Sequence, residues 1–119
     1  MVKTVVFDFD GVIHSYKSGW QGIDNIPDEP VDGIKDVIDE LLEKGYEVVI
    51  VSTRCSDPNG MIAMSKWLEK YGIKVSRLCA TKPPAMVYVD DRAINFDGKC
   101  EGLVGKIETF KSWTEKESE

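Results

Sequence analysis

The feature that most constrains the fold is an apolar run near the N-terminus that ends in two acids and a glycine. Residues 5–11 read VVFDFDG. Side chains alternate between the two faces of a strand, so Asp8 and Asp10 would share a side if the strand continued through both. Gly11 permits a sharp turn that presents both carboxylates at the carboxyl end of the strand, where parallel α/β sheets bind ligands. Two carboxylates there suit Mg²⁺, and the plainer alternative is an acidic turn that caps a strand.

The rest of the chain alternates apolar runs of strand length with helical patterns. We predict strands at residues 2–9, 46–51, 75–80 and 86–89, an edge strand at 103–107, and helices at 31–44, 57–72 and 109–119. Alternation of this kind indicates a mostly parallel sheet. The length indicates a single domain over residues 1–119, because 119 residues leave little for a second folding unit.

Residues 12–29 form the one long irregular connection, and a loop of that length in a compact domain is usually functional. We expect a small flap beside the acids, too short to be a separate cap domain. Tyr16 and Trp20 within it could stack on a base or sugar, or could anchor the flap against the domain. His14 is interpreted as a flap residue, and Trp67 and Trp113 as helix packing residues.

The amino-acid composition limits which binding partners and which cellular location are expected. The 21 acids and 15 bases give a net charge of −6, which argues against stable binding to nucleic acid or to an anionic membrane but allows a nucleotide substrate. No apolar stretch approaches the length of a spanning helix. Three cysteines without metal-ligand spacing indicate reduced thiols. We expect a cytoplasmic protein.

Polar groups follow three further predicted strands. Residues 52–54 read STR, residues 81–82 read TK and residues 90–92 read DDR. With the acids after the first strand, they supply the parts that phosphoryl transfer through an acyl phosphate requires. The roles expected are nucleophile for Asp8, general acid and base for Asp10, hydroxyl for Ser52, cation for Lys82, metal ligand for Asp90, and support through a metal-bound water for Asp91.

With these residues in this order, the chain resembles the haloacid dehalogenase superfamily of phosphohydrolases. The matching pieces are DFDGV at residues 8–12, the strand before Ser52, Lys82 before the fourth strand, and VYVDD at residues 87–91. The resemblance implies a Rossmann-like three-layer sandwich whose five-stranded sheet has the order 5-4-1-2-3, with helices on both faces. It also implies Mg²⁺ held by Asp8, the Asp10 carbonyl and Asp90. Dehalogenases of the family lack an acid at the Asp10 position, so Asp10 indicates phosphate chemistry.

We therefore expect a compact, uncapped, Mg²⁺-dependent phosphatase that hydrolyses a phosphomonoester through an aspartyl phosphate on Asp8. We expect the substrate to be a phosphorylated small molecule, a nucleotide or a nucleic-acid end. An open site suits a bulky substrate such as a nucleic-acid end or a phosphoprotein, or else a cap supplied by another subunit in an oligomer or by the flap itself. Gly11, Thr53, Arg54 and Arg92 are the candidate substrate contacts. The two arginines could hold a phosphate or carboxylate, or could pair with neighbouring acids.

Two other functional classes stay open. The first is a non-catalytic phosphate-binding or regulatory domain that keeps the same pocket. The second is a phosphoacceptor signalling domain of the receiver type, whose acceptor aspartate lies on a middle strand. In this chain the second strand is followed by Ser52 instead.

The connection between the third and fourth strands is unusually short. Only residues 81–85 separate them, whereas a regular parallel crossover needs about a dozen residues. We predict that one of these strands is short or that Lys82 approaches the site from an unusual direction. Pro83 and Pro84 resist a central strand and so place Lys82 outside the fourth strand.

Overall fold

The computed structural model describes residues 2–117 of the chain. Its elements, in chain order, are β1 (Thr4–Asp8), α1 (Ile34–Glu43), β2 (Glu47–Val51), α2 (Pro58–Lys70), β3 (Arg77–Cys79), β4 (Val87–Val89), α3 (Leu103–Glu108) and α4 (Trp113–Glu117). A 3₁₀ turn at Thr53–Ser56 joins β2 to α2. The strands and helices predicted for the first 89 residues are confirmed, with ends that differ by a few residues. None of the helices within residues 2–117 has the length and apolar character that crossing a membrane requires.

The four strands form one parallel sheet in the order β3-β2-β1-β4. Asp8 at the end of β1 pairs in register with Val51 at the end of β2, and Phe7 pairs with Val89 at the end of β4. The residues that follow β2 and β4 therefore lie beside Asp8. This register places the segments predicted to carry the chemistry at one edge of the sheet.

The larger part of the core lies between the sheet and the two long helices. Alternate residues of β1 and β2 face α1 and α2, as the apolar stripe of each helix predicts. The buried members include Val5, Phe7, Val48, Ile50, Ile38, Met64 and Leu68. The opposite face of the sheet has a smaller buried cluster, Val6, Val49 and Val51, which Cys79 and Ala85 cover.

The link from β3 to β4 explains this asymmetry. Both strands have only three residues, so the sequence-based expectation of a short strand is confirmed for both. Residues 80–86 contain no helix, and Ala85 within them packs on the second face of the sheet. A link of this length cannot accommodate a crossover helix. The second face therefore receives no crossover helix from this link, and both long helices lie on the other face, where the resemblance implied helices on both.

The predicted edge strand at residues 103–107 is wrong, because this segment is the helix α3. The sheet has four strands among the described residues and lacks the fifth strand of the expected order 5-4-1-2-3. Leu103 and Ile107 are four residues apart, which suits one face of a helix, and a helix satisfies its own backbone hydrogen bonds without a partner strand. Of the helix predicted at residues 109–119, α4 covers part, and residues 118–119 lie outside the described residues.

Candidate functional site

Three acids converge where β1 and β4 end. Asp8, Asp90 and Asp91 each contribute a carboxylate oxygen, and the three oxygens lie within 4.8 Å of one another. Gly11 lies against this cluster with φ +88°, and a Cβ atom there would overlap the Asp91 carboxylate. The glycine is therefore required both for the turn after β1 and for the close approach of Asp91.

Electrostatic repulsion makes this cluster unstable as three bare carboxylates. Burial, a hydrogen bond shared with Asp91 and the charges of Asp90 and Asp91 raise the pKa of Asp8 from 3.8 to about 7. The Oδ1 atom of Asp91 is buried and has no hydrogen-bond partner among residues 2–117. Such an arrangement is relieved by a proton or by a cation.

Lys82 reaches the acid cluster from the start of the link between β3 and β4. Its Nζ lies 3.1 Å from Oδ2 of Asp90, whose other oxygen accepts a hydrogen bond from the Arg92 amide at 2.8 Å. The Lys82 side chain is half exposed, so this ion pair adds little stability but places a positive charge beside the acids. Arg92 itself is exposed next to the cluster.

Ser52 and Thr53 follow β2 and so lie at the same edge as the acids. Ser52 is buried, and its Oγ accepts a hydrogen bond from the Arg54 amide at 3.1 Å, which caps the 3₁₀ turn. Thr53 is exposed, and its carbonyl accepts from the Ser56 hydroxyl at 2.6 Å. The hydroxyl proton of Ser52 stays available, because Oγ acts as an acceptor in this bond.

Asp10 has different partners from Asp8. Its Oδ2 accepts from Nε of Arg54 at 3.0 Å, and its Oδ1 accepts from Nη2 at 3.2 Å. The Asp28 amide donates to Nε2 of His14 at 3.1 Å, which assigns the ring proton to Nδ1, and Nδ1 then donates to Asp10 at 2.8 Å. Burial opposes ionisation, but the hydrogen bonds from His14 and Arg54 outweigh it and lower the pKa of Asp10.

Arg54 links Asp10 to the loop at residues 12–29. The side chain is fully buried, and its Nη1 donates to three loop carbonyls. These carbonyls belong to Gly22, Ile23 and Asn25, at 2.8, 2.9 and 3.3 Å. The guanidinium also lies 4.5 Å from the centroid of the Trp20 ring.

These contacts show one of the two roles that the sequence left open for Arg54, the pairing with a neighbouring acid. The structure pairs it with a neighbouring acid, and the substrate role stays a prediction without a contact to support it. Spacing along the sequence does not connect Arg54 with the loop carbonyls. The available signal was an arginine three residues after a buried strand, close to the core, where a solvated charge is unusual.

The flap at residues 12–29 is also anchored near both of its ends, at His14 and at Asp28. Nε1 of Trp67 donates to the Asp28 carbonyl at 2.9 Å, and the His14 ring contacts the rings of Phe9, Tyr16 and Trp67. Tyr16 adopts φ +61°, which is uncommon for a residue other than glycine. Burial and the charge of Asp10 raise the pKa of Tyr16, so its hydroxyl stays protonated near the acids.

Trp113 is a residue of the site that sequence reasoning missed. Its Nε1 donates to the Gly11 carbonyl at 2.6 Å across 102 positions of sequence. This bond attaches α4 to the turn that follows β1. The sequence-based interpretation of Trp113 as a helix packing residue did not include this contact, because no local pattern relates the two segments.

Comparison with known proteins bears on the fold. No protein-family model matches this chain, and no curated protein matches it. The chain is similar to a solved structure of a conserved protein from Bacteroides thetaiotaomicron, with a TM-score of 0.61 and 16% identity over 100% of both chains. At this identity the similarity shows a shared fold and nothing about activity.

Proposed function

We propose that this protein is a Mg²⁺-dependent phosphatase that hydrolyses a phosphomonoester through an aspartyl phosphate on Asp8. The observation that carries the proposal is the convergence of carboxylate oxygens of Asp8, Asp90 and Asp91 within 4.8 Å, with a buried Asp91 oxygen that has no hydrogen-bond partner among the described residues. Lys82 against Asp90 adds a cation for phosphoryl oxygens. The resemblance to haloacid dehalogenase phosphohydrolases, which rests on the same residues, supports this assignment.

The residues present fit a hard divalent cation. The carboxylates of Asp8, Asp90 and Asp91 would hold it, with the Asp10 carbonyl as the further ligand that the resemblance implies. The unpartnered Asp91 oxygen favours direct ligation by Asp91 over the outer position expected from the sequence. When bound, Mg²⁺ offsets the negative charge of the carboxylates and of the phosphoryl oxygens.

The side chains can divide the reaction into two displacements. In the first, a carboxylate oxygen of Asp8 attacks phosphorus, the bond to the ester oxygen breaks, and Asp10 gives its proton to the leaving alcohol. In the second, Asp10 takes a proton from water, the water oxygen attacks phosphorus, and the bond to Asp8 breaks. Lys82 and the Ser52 hydroxyl hold the phosphoryl oxygens throughout.

The direct test is turnover of an aryl phosphate by the wild-type protein, with Mg²⁺ and with a chelator. We expect activity that requires Mg²⁺ and that Asp8→Asn abolishes, with a phosphoryl group trapped on Asp8 after rapid acid quench and peptide mapping. Asp32→Asn, an exposed acid elsewhere, is the matched control and should retain full activity. Unchanged turnover in Asp8→Asn would overturn the assignment.

A non-catalytic phosphate-binding or regulatory domain is the second candidate, and one observation favours it. Arg54 and His14 stabilise the charged form of Asp10, whereas the first displacement needs a protonated Asp10. A binding domain needs only the acid cluster and Lys82. It would bind a phosphate ester in the presence of Mg²⁺ without turning over any member of a panel of natural phosphomonoesters.

A further inference from the structure

A groove of about 460 Å³ begins at Arg92, directly after the acid cluster. It lies between the segment that follows β4 and the helix α3, and its walls are mainly apolar. Its principal lining side chains are Arg92, Ile94, Phe96, Leu103, Ile107 and Phe110. A mainly apolar pocket with one charged residue in its lining has the character of a small-molecule site.

Large apolar side chains in this groove face solvent to an unusual extent. Phe96 is 57% exposed and Ile107 is 59% exposed. The groove is therefore lined by apolar surface that the domain itself does not bury. Contiguous exposed apolar surface of this kind marks a binding site more often than scattered single residues do.

Arg92 joins the groove to the candidate active site, because it lines the groove and its backbone contacts the acid cluster. The Arg92 amide donates to Asp90 at 2.8 Å, and the same Asp90 carboxylate contacts Lys82. A phosphoryl group held beside Asp8 and Lys82 would therefore lie near Arg92, the residue at which the groove begins. One end of a ligand would meet charge and the other end apolar side chains.

We propose that this groove binds an apolar leaving group, so that the preferred substrate is a phosphomonoester of an alkyl or aryl alcohol. This inference rests on the proposed phosphatase function and adds the class of substrate. The occupant favoured here is a small molecule, because Arg92 both lines the groove and contacts Asp90 of the acid cluster through its amide. A second copy of the chain is disfavoured by the net charge of −6 that each copy carries.

Ethyl phosphate and hexyl phosphate test the proposal, because their leaving alcohols have closely similar acidity and differ in apolar length. We expect kcat/KM of the wild-type protein to rise at least about tenfold from ethyl to hexyl phosphate as the added methylenes leave water. Phe96→Ser and Ile107→Ser should each remove most of that rise while leaving ethyl phosphate turnover unchanged. Ile62→Ser on α2, where the side chain is 53% exposed outside the groove, is the matched control and should leave the rise intact.

The outcomes separate this inference from the proposed function. Turnover that is equal for the two esters overturns the groove assignment and leaves the phosphatase standing. If neither ester is turned over, calorimetric binding decides the groove independently: tighter binding of hexyl than of ethyl phosphate, lost in Phe96→Ser, supports it, and equal binding overturns it. A wild-type dimer by light scattering that Phe96→Ser converts to a monomer would also overturn it, because a second copy would then cover the groove.

Discussion

Asp8 and Asp10 are two residues apart, yet their carboxylates lie in opposite electrostatic environments. Asp10 accepts hydrogen bonds from Arg54 and His14, and its pKa is lowered. Asp8 lies among other acids, and its pKa is raised to about 7. The comparison teaches that one strand end can hold a carboxylate whose charge its neighbours stabilise and, beside it, a carboxylate whose charge its neighbours disfavour.

The region around Asp10, where hydrogen bonds balance the charge, supports the acid cluster of Asp8, Asp90 and Asp91. Arg54 and His14 fix the chain on one side of Gly11, and Trp113 fixes the Gly11 carbonyl on the other. Gly11 in turn lies against Asp91. The acid cluster is therefore held in place by contacts around Gly11 as well as by the Lys82 and Arg92 contacts to Asp90, which is how a repulsive arrangement persists in a folded protein.

Replacing Arg54 should have the largest effect on stability, because it removes the hydrogen bonds that join Asp10 to the loop at residues 12–29. Arg54→Met leaves Asp10 with the His14 hydrogen bond but without the two from Arg54, and it leaves three loop carbonyls without their donor, so we expect a loss of about 3–5 kcal/mol in the free energy of unfolding. Urea unfolding followed by circular dichroism measures it. Arg77→Met, which removes a half-exposed arginine paired with Glu47 at 3.5 Å, is the matched control and should cost less than about 1 kcal/mol. Equal losses in the two variants would contradict the role given to Arg54.

How far the sequence predicted this arrangement depends on the range of the interactions. The predicted bounds of the strands and long helices are close to the observed ones, since alternation and helical spacing are local consequences of burial. The convergence of Asp8 with residues 90–91 followed from the shared edge of a parallel sheet. The partners of Arg54 depend on the path of an irregular loop, which no local pattern encodes. The segment at residues 103–107 has apolar residues that suit either a strand or a helix, and the choice depends on a neighbouring strand that is absent among the described residues.

Removing the charge of Asp8 should stabilise the metal-free protein. Between pH 3.8 and about pH 7 the folded chain retains the Asp8 proton more readily than the unfolded chain does, so stability falls as the pH rises through this range. Above about pH 7 both the folded and the unfolded chain have lost the Asp8 proton, and the full electrostatic cost of the Asp8 charge in the folded state remains. With allowance for partial exposure of Asp8, we expect Asp8→Asn to raise the free energy of unfolding by about 2 kcal/mol in the presence of a chelator above pH 7.

The gain in Asp8→Asn should vanish near pH 4, where wild-type Asp8 is protonated in the folded state. Urea titrations at the two pH values measure the difference, and Asp32→Asn serves as the control for loss of an exposed acid. A gain of the same size at both pH values would show that charge repulsion in the acid cluster is not its cause.

The pH dependence of Mg²⁺ affinity should also reveal the proton on Asp8. Below about pH 7 the cation must displace the Asp8 proton, so its affinity should fall by up to about tenfold for each unit of pH and should level off above pH 7. Isothermal titration calorimetry across this range, in buffers of different ionisation enthalpy, measures both the affinity and the proton released. An affinity independent of pH would place the cation away from Asp8.

Substitutions of two tryptophans should have smaller effects and distinguish the flap from the turn beside the acid cluster. Trp67→Phe and Trp113→Phe each remove one indole N–H that donates to a backbone carbonyl, that of Asp28 at 2.9 Å and that of Gly11 at 2.6 Å. Each should lower the free energy of unfolding by about 1 kcal/mol. Because Gly11 contacts Asp91, only Trp113→Phe should also weaken Mg²⁺ binding, by about two- to fivefold. Equal Mg²⁺ affinity in the two variants would mean that α4 stabilises the turn after β1 without positioning the acids.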